Sequence, residues 1–289
     1  MPSEAEKSET PSLTALEFER FRRLANDAFG LDLRPGKQTL LSARLAKKIR
    51  ELKLASFEEY YRYLLADSTG KAVAGLADAL TTNHTGFFRE RAHFDFLRET
   101  AACALRDRDP LRIWSAGCST GEEPYTIAFS LIEELGNAAL SRVRILATDV
   151  SNRVLAVARR GAYPAERFEG LPRHQLRRFL LRGENQWKDW YMVKRQIRDM
   201  IEFRRLNLKS DFSHVGPFTV IFCRNVMIYF DRPTQQDLIN RLSERLEPGG
   251  YLLVGHAESL NAINHPLRYV RPAIYRKPDG RDAARGRKH

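Results

Sequence analysis

The sequence predicts an α/β fold: a mostly parallel sheet covered by helices, an all-helical region ahead of it and a small antiparallel insertion within it. Three observations carry this. Short apolar runs at 111–116, 143–147, 218–223 and 251–255 alternate with helical patterns, as parallel strands joined by crossover helices do. Residues 13–80 show helical periodicity and little strand character. Residues 187–206 break the alternation with strand-like sequence.

Composition sets the outer bounds. A chain of 289 residues is one large domain or two ordinary ones, and 43% hydrophobic with 29% charged residues excludes disorder, collagen and coiled coil as whole-chain readings. Cys103, Cys118 and Cys223 are too few and too far apart for a disulfide framework or a paired-cysteine metal site. No apolar run approaches the roughly 18 residues of a membrane span, so no membrane insertion is expected. The start, MPSEAEKSETPS, lacks the apolar core of a secretory signal. A cytoplasmic protein with reduced thiols is the expectation.

Residues 1–12 read as a disordered N-terminus and 13–80 as a helical domain. Within it, Leu41, Leu45, Ile49 and Leu52 mark one apolar face of a helix over 37–53. Arg44, Lys47 and Lys48 then form a cationic ridge on another face. Ser56 before Glu58 and Glu59 is an N-cap signature for the next helix.

The main domain is expected over 81–277. Its first strand, 111–116, runs into the loop GCSTGEEP and a helix over 125–135. The second strand, 143–147, leads through Asp149 and Ser151 to a helix ending at Arg160. Residues 190–194 and 201–205 are expected to pair as an inserted antiparallel hairpin within about 187–206. The strand 218–223 follows, then a helix over 234–246, a turn at Pro248-Gly249-Gly250 and the strand 251–255. Residues 278–289 read as a basic tail.

In such a sheet ligands bind beyond the carboxyl ends of the strands, so the loop after the first strand carries the most information. It has glycines but not the GxGxxG pattern. Glu122 and Glu123 open the following helix, where carboxylates would repel a phosphate rather than cradle it. Acids there suit a ligand with a cationic end, such as the amino-acid portion of S-adenosylmethionine. They also suit simple complementation of the helix dipole. Asp149, ending the second strand, is placed for two ribose hydroxyls, or for a helix cap. Taken together, the two strand ends favour an adenosine cofactor without a phosphate chain.

The formal charge is +12, and it is patchy. Residues 34–62 carry a net +5, 153–205 a net +8 and 268–289 a net +6, which leaves −7 for the rest. Such patches favour an anionic macromolecular partner.

Four motifs occur in order: TTNHTGFFRE (81–90), SAGCSTGEEPYTIA (115–128), ATD (147–149) and FCRNVMIYFD (222–231). Together they resemble the chemotaxis receptor methyltransferases, the CheR-type enzymes, over roughly residues 15–275. The resemblance implies a Rossmann-like S-adenosylmethionine-dependent methyltransferase sheet and methylation of glutamates on chemoreceptor signalling helices. It implies that Asn83, Thr85 and Arg89 close over the methionine end of the cofactor. Glu123 matches the acid near its amino group, Asp149 the acid on its ribose, and Asn207 and Leu208 the pair beside adenine. Arg224 and Asn225 match cofactor-site positions ending the fourth core strand, and Tyr229 lines the catalytic site with Arg89. The basic helix 37–53 is the expected complement to acidic receptor helices. Family members that grip a receptor's C-terminal peptide carry a glycine-rich hairpin turn. Here Gly183 is followed by Trp187, Lys188 and Asp189, which weighs against a peptide tether.

Methyl transfer to a carboxylate needs positioning and desolvation rather than a general base, since glutamate with a reference pKa of about 4.3 is already ionised. The seven histidines show no HxxxH or HExxH spacing, so no metal is expected. A rival reading is a basic nucleic-acid-binding methyltransferase. It lacks the Asn/Asp-Pro-Pro-aromatic run such enzymes place after the fourth strand, where this chain has Arg224-Asn225-Val226-Met227. Nor is there a basic stripe interleaved with aromatics, so no nucleic-acid partner is expected. A non-catalytic cofactor-sensing module is the third reading, disfavoured by the intact loop.

Overall fold

The computed structural model describes residues 13–33, 36, 38–80, 84–107 (side chains to 100) and 110–279. The expectations for residues 1–12, for Asn83 and for the tail beyond 279 lie outside the described residues. The chain divides into two units, residues 1–82 and 83–289.

The first unit is helical: α1 (Ala15–Phe29), α2 (Gln38–Glu51), α3 (Phe57–Ala66) and α4 (Lys71–Leu80). Thr14 and Glu17 form a capping box on α1, and Ser56 caps α3 by accepting the Glu59 N–H at 3.1 Å. The predicted apolar stripe of α2 is buried at Leu41, Leu45 and Ile49, whereas Leu52, its expected fourth member, lies half-buried in the turn past the helix end. Phe21, Tyr60, Leu64 and Leu76 join it in the core of this unit, with the Phe21 and Tyr60 rings stacked at 5.9 Å.

The second unit is built on a seven-stranded sheet. After α5 (Ala92–Asp107) come β1 (Leu111–Ala116), α6 (Glu122–Leu135), α7 (Ala138–Arg142), β2 (Val143–Asp149) and α8 (Asn152–Arg160). Then follow β3 (Ala162–Pro164), α9 (Arg173–Phe179), β4 (Leu180–Arg182), β5 (Trp190–Val193), α10 (Arg195–Arg198) and β6 (Ile201–Arg205). The chain ends in β7 (Phe218–Cys223), α11 (Arg232–Arg245), β8 (Leu246–Val254), β9 (Arg268–Arg271) and β10 (Ile274–Arg276). The main-sheet order is β6-β2-β1-β7-β8-β10-β9. The first five strands are parallel, and β10 lies antiparallel between β8 and β9. Since β1 pairs with β2 on one side and β7 on the other, its carboxyl end is the topological switch point. The near-continuous burial of β1, β2 and β7 explains why they read as apolar runs rather than alternating ones.

Two expectations need correction. Residues 190–194 and 201–205 do not pair as a hairpin. β5 is instead the centre of a small antiparallel sheet, β3-β5-β4, whereas β6 is an edge strand of the main sheet, parallel to β2. Helix α10 separates the two, so the insertion begins near residue 162. Apolar anchors seat it: Phe179 stacks on Phe129 of α6 at 4.5 Å, and Phe168 meets Phe87 at 4.5 Å. The second correction is at Pro248-Gly249-Gly250, which is not a turn between helix and strand. β8 runs continuously from Leu246 to Val254, and the extra residues are absorbed as an irregularity opposite Phe218 and Val220. Gly249 and Gly250 keep backbone hydrogen bonds to Lys277, which hold that stretch in the sheet.

Candidate active site

The carboxyl ends of β1, β2, β6 and β7 converge on one constellation. The loop after β1 is held by backbone: the Gly117 and Cys118 N–H groups both donate to the Thr148 carbonyl, at 2.8 and 2.9 Å. Asp149 then receives the Ser119 N–H on Oδ2 at 2.9 Å and the Ser151 N–H on Oδ1 at 3.0 Å. A carboxylate oxygen has two lone pairs and can accept more than one hydrogen bond. Of the two sequence roles for Asp149, the structure displays the bracing one, in which the half-buried carboxylate holds the loop and the start of the next helix. Gly121 opens α6 at φ +99°, and a Cβ there would lie 2.8 Å from Ala158 Cβ and 2.9 Å from Tyr163 Oη. Only glycine fits that turn.

Asn207 and Leu208, expected beside adenine, are brought near Asp149 through β6. The Leu206 N–H donates to the Asp149 carbonyl at 3.1 Å, and Asn207 Oδ1 closes a turn on the Lys209 N–H at 3.0 Å. Leu208 is buried, and its carbonyl accepts from Arg241.

The acid pair that opens α6 behaves unequally. Glu122 is fully buried, receives the Thr120 hydroxyl at 2.6 Å and faces Arg167 of the insertion at 3.6 Å. Arg167 also donates to the Thr85 carbonyl at 3.2 Å. Glu123 accepts from the Ser115 hydroxyl at 2.7 Å and from Arg224 at 2.9 Å. Arg224 is 6% exposed, and its guanidinium spans Glu123, Glu90 at 3.0 Å and the Arg89 carbonyl. Arg224, expected among the cofactor-site residues, has its side chain on Glu123, Glu90 and the segment carrying Arg89. Asn225, at φ +59°, donates through Nδ2 to Glu90 Oε1 at 3.3 Å.

Arg89 and Tyr229 come from separate turns joined through Arg224 and Asn225. Arg89 donates to the His84 carbonyl at 2.6 Å, between Phe88 and Glu90, both at positive φ. Such backbone is strained for residues other than glycine and persists where its surroundings enforce it. Tyr229 is half-buried, in a short 3-10 turn from Met227 to Tyr229.

Sequence reasoning missed Glu90, His93, Arg167 and Glu258. Burial alone would raise the Glu90 pKa, but the Arg224 charge and hydrogen bond outweigh it and hold the carboxyl below its ordinary value. His93 is fully buried, and burial with the Arg224 charge lowers its pKa to about 4. Glu90, His93 and His256 bring possible ligand atoms within 4.8 Å of one another, a set that spacing rules overlook because His256 is remote in sequence. Arg224 already occupies the Glu90 carboxylate, and a metal ion would have to share that acid with a guanidinium. The thiols of Cys118 and Cys223 are buried and pushed well above their ordinary pKa, unlike reactive cysteines.

The constellation suits S-adenosylmethionine. That ligand offers ribose hydroxyls, an ammonium and a sulfonium, and the strand ends offer the carboxylates of Asp149 and Glu123. The comparisons with known proteins agree. A family described as "CheR methyltransferase, SAM binding domain" matches residues 83–275, and "CheR methyltransferase, all-alpha domain" matches 16–81. Chemotaxis protein methyltransferase 2 of Pseudomonas aeruginosa is 41% identical over 263 residues, covering 91% of this chain and 93% of that one. The chemotaxis protein methyltransferase of Borreliella burgdorferi is 38% identical, covering 92% and 95%. That of Escherichia coli is 36% identical, covering 93% of each. The chain belongs to the CheR methyltransferase family and is an S-adenosylmethionine-dependent methyltransferase.

Proposed function

We propose that the protein methylates glutamate side chains on the signalling helices of chemoreceptors, in the cytoplasm, forming methyl esters for sensory adaptation. The observation that carries this reading is the near full-length similarity to enzymes named chemotaxis protein methyltransferases. S-adenosylmethionine supplies an electrophilic methyl group when bound. Asp149 holds its ribose, Asn207 and Leu208 flank its adenine, and Glu123, steadied by Ser115 and Arg224, receives its ammonium. Asn83, Thr85 and Arg89 close the methionine end, and Asn225 borders it.

The acceptor carboxylate is ionised at neutral pH, so no base has to be generated. Arg89 orients it and the Tyr229 hydroxyl holds it in line. Charge is consumed as the ester forms, and excluding water therefore favours the step. The 84–90 segment is braced for that task by Arg167 at Thr85 and by the Thr126 hydroxyl at the Phe88 N–H. His93, neutral and buried, is a packing group rather than a base.

Acidic receptor helices would dock on α2. The structure narrows its predicted ridge. Arg44 is half-buried and donates to the Leu80 carbonyl at 2.6 Å, and Lys48 pairs with Glu51 at 3.3 Å, which leaves Lys47 and Arg50 as the exposed cations. A receptor C-terminal tether is not part of the proposal. The turn between β4 and β5 is compact, with the Gly183 N–H on the Trp190 carbonyl at 2.8 Å.

The test is incubation with labelled S-adenosylmethionine and a receptor fraction, followed by mild base. Glutamate esters release methanol, and label that stays bound through base would refute the proposal.

A further inference from the structure

Glu258 stands in the turn after β8, 6% exposed, and the reaction described above gives it no direct part. Its Oε2 accepts the N–H groups of Gly255 and Asn225, each at 2.7 Å, and its Oε1 accepts that of Ile228 at 3.2 Å. Its own N–H returns to the Gly255 carbonyl at 2.8 Å. One carboxylate therefore gathers amide donors from two chain segments, one leaving β7 and the other leaving β8. A carboxylate suits this place because it is acceptor-only, whereas an amide side chain would turn its NH2 toward a donor. Burial pushes the Glu258 pKa up and the amide donors oppose that.

The two segments approach too closely for any side chain at residue 255. A Cβ on Gly255 would lie 2.5 Å from Asn225 Nδ2, 2.9 Å from Asn225 N and 2.8 Å from Glu258 Oε2. Asn225 holds its left-handed φ of +59° within this knot, and Tyr229 follows one turn later, its N–H on the Val226 carbonyl at 3.2 Å. The Asn225 side chain is fixed from the other direction by Glu90.

We propose that Glu258 is a positioning residue for methyl transfer, holding the turn that presents Asn225 to the cofactor and Tyr229 to the acceptor carboxylate. This rests on the roles given to Asn225 and Tyr229 under the proposed function. Glu258 touches neither reactant and acts through backbone amides alone.

The test compares wild type with Glu258→Gln, which keeps the shape but reverses one pole, and Glu258→Asp, which remains acceptor-only. Turnover is measured per folded molecule, well below each melting midpoint. In the Gln variant, turnover at saturating substrates should fall about tenfold or more and affinity for S-adenosylhomocysteine several-fold, with receptor KM unchanged. The Asp variant should recover part of the lost turnover. A lower melting point with wild-type turnover and affinity would overturn the proposal, since a purely structural group behaves so. Should the Gln variant not fold, the Asp variant decides: reduced turnover at unchanged receptor KM supports the proposal, and wild-type turnover overturns it. The cofactor titration needs no acceptor. If wild type transferred no methyl to receptors, the receptor assignment would fail, while unchanged S-adenosylhomocysteine affinity in the Gln variant would separately overturn the role of Glu258.

Discussion

The charges at the strand ends and the charges on α2 obey different physics. Arg224, with a side chain 2% exposed, is shared by Glu90 at 3.0 Å and Glu123 at 2.9 Å. Lys48 meets Glu51 at 3.3 Å with side chains 29% and 50% exposed. In the first case the cation has given up its water and the acids most of theirs, so removing one strands the rest. In the second, water and salt replace whatever is lost. The comparison teaches which charges fix geometry and which only shape a surface potential.

The sharpest way to break that contrast is Arg224→Met. Leaving Glu90 and Glu123, each with a side chain 14% exposed, without their cation should cost about 2–4 kcal/mol of stability, read from urea midpoints, and abolish methyl transfer. A loss below 1 kcal/mol would place Arg224 with the solvated charges.

A second effect is pH-dependent. The unfolded chain protonates His93 below its ordinary value of 6.5, whereas the folded chain does so only near 4. Between these values the unfolded state binds more protons, so stability falls as pH drops through that window, by about 3 kcal/mol at most. Substituting His93→Leu should flatten the pH dependence there. Glu90 acts lower: its depressed pKa contributes stability above about 4.5 that is lost as pH falls through its folded value. The His93→Leu variant should keep that acid limb.

Tyr229→Phe should lower turnover severalfold with little change in melting point or cofactor affinity, and wild-type turnover would make the ring a packing group.

The smallest expected effect lies on α2. Lys47→Glu with Arg50→Glu should leave stability within about 1 kcal/mol, as exposed charges do. Receptor KM should rise at low salt, and the difference from wild type should shrink as salt screens charges beyond about 8 Å at physiological ionic strength. An unchanged KM at low salt would remove α2 from the docking surface.

The sequence was readable where local pattern and burial agree. β1 and β7 match their apolar runs, α2 buries its expected stripe from Leu41 to Ile49, and Ser56 caps as foreseen. It was misleading at β6, where strand-like sequence said nothing about partner: Ile201 pairs with Ile145 in the main sheet rather than with β5. Pro248-Gly249-Gly250 misled in the opposite way, as turn residues carried inside a strand by hydrogen bonds to Lys277. In the site, Asp149 and Glu123 stood out because strand ends announce themselves. Glu90 and Glu258 did not, because their partners lie 134 and 33 residues away, and no local spacing encodes such meetings.

In the proposed function the strand-end acids, and not the surface charges, bind the cofactor. Calorimetric titration of S-adenosylhomocysteine into wild type, Asp149→Ala and the Lys47→Glu, Arg50→Glu double variant tests it most directly. Each charge-assisted bond lost from Asp149 is worth about 1.5–3 kcal/mol, so affinity should fall at least about tenfold, at low and high salt alike. The double variant should bind as wild type does. Unchanged affinity in Asp149→Ala would contradict the account.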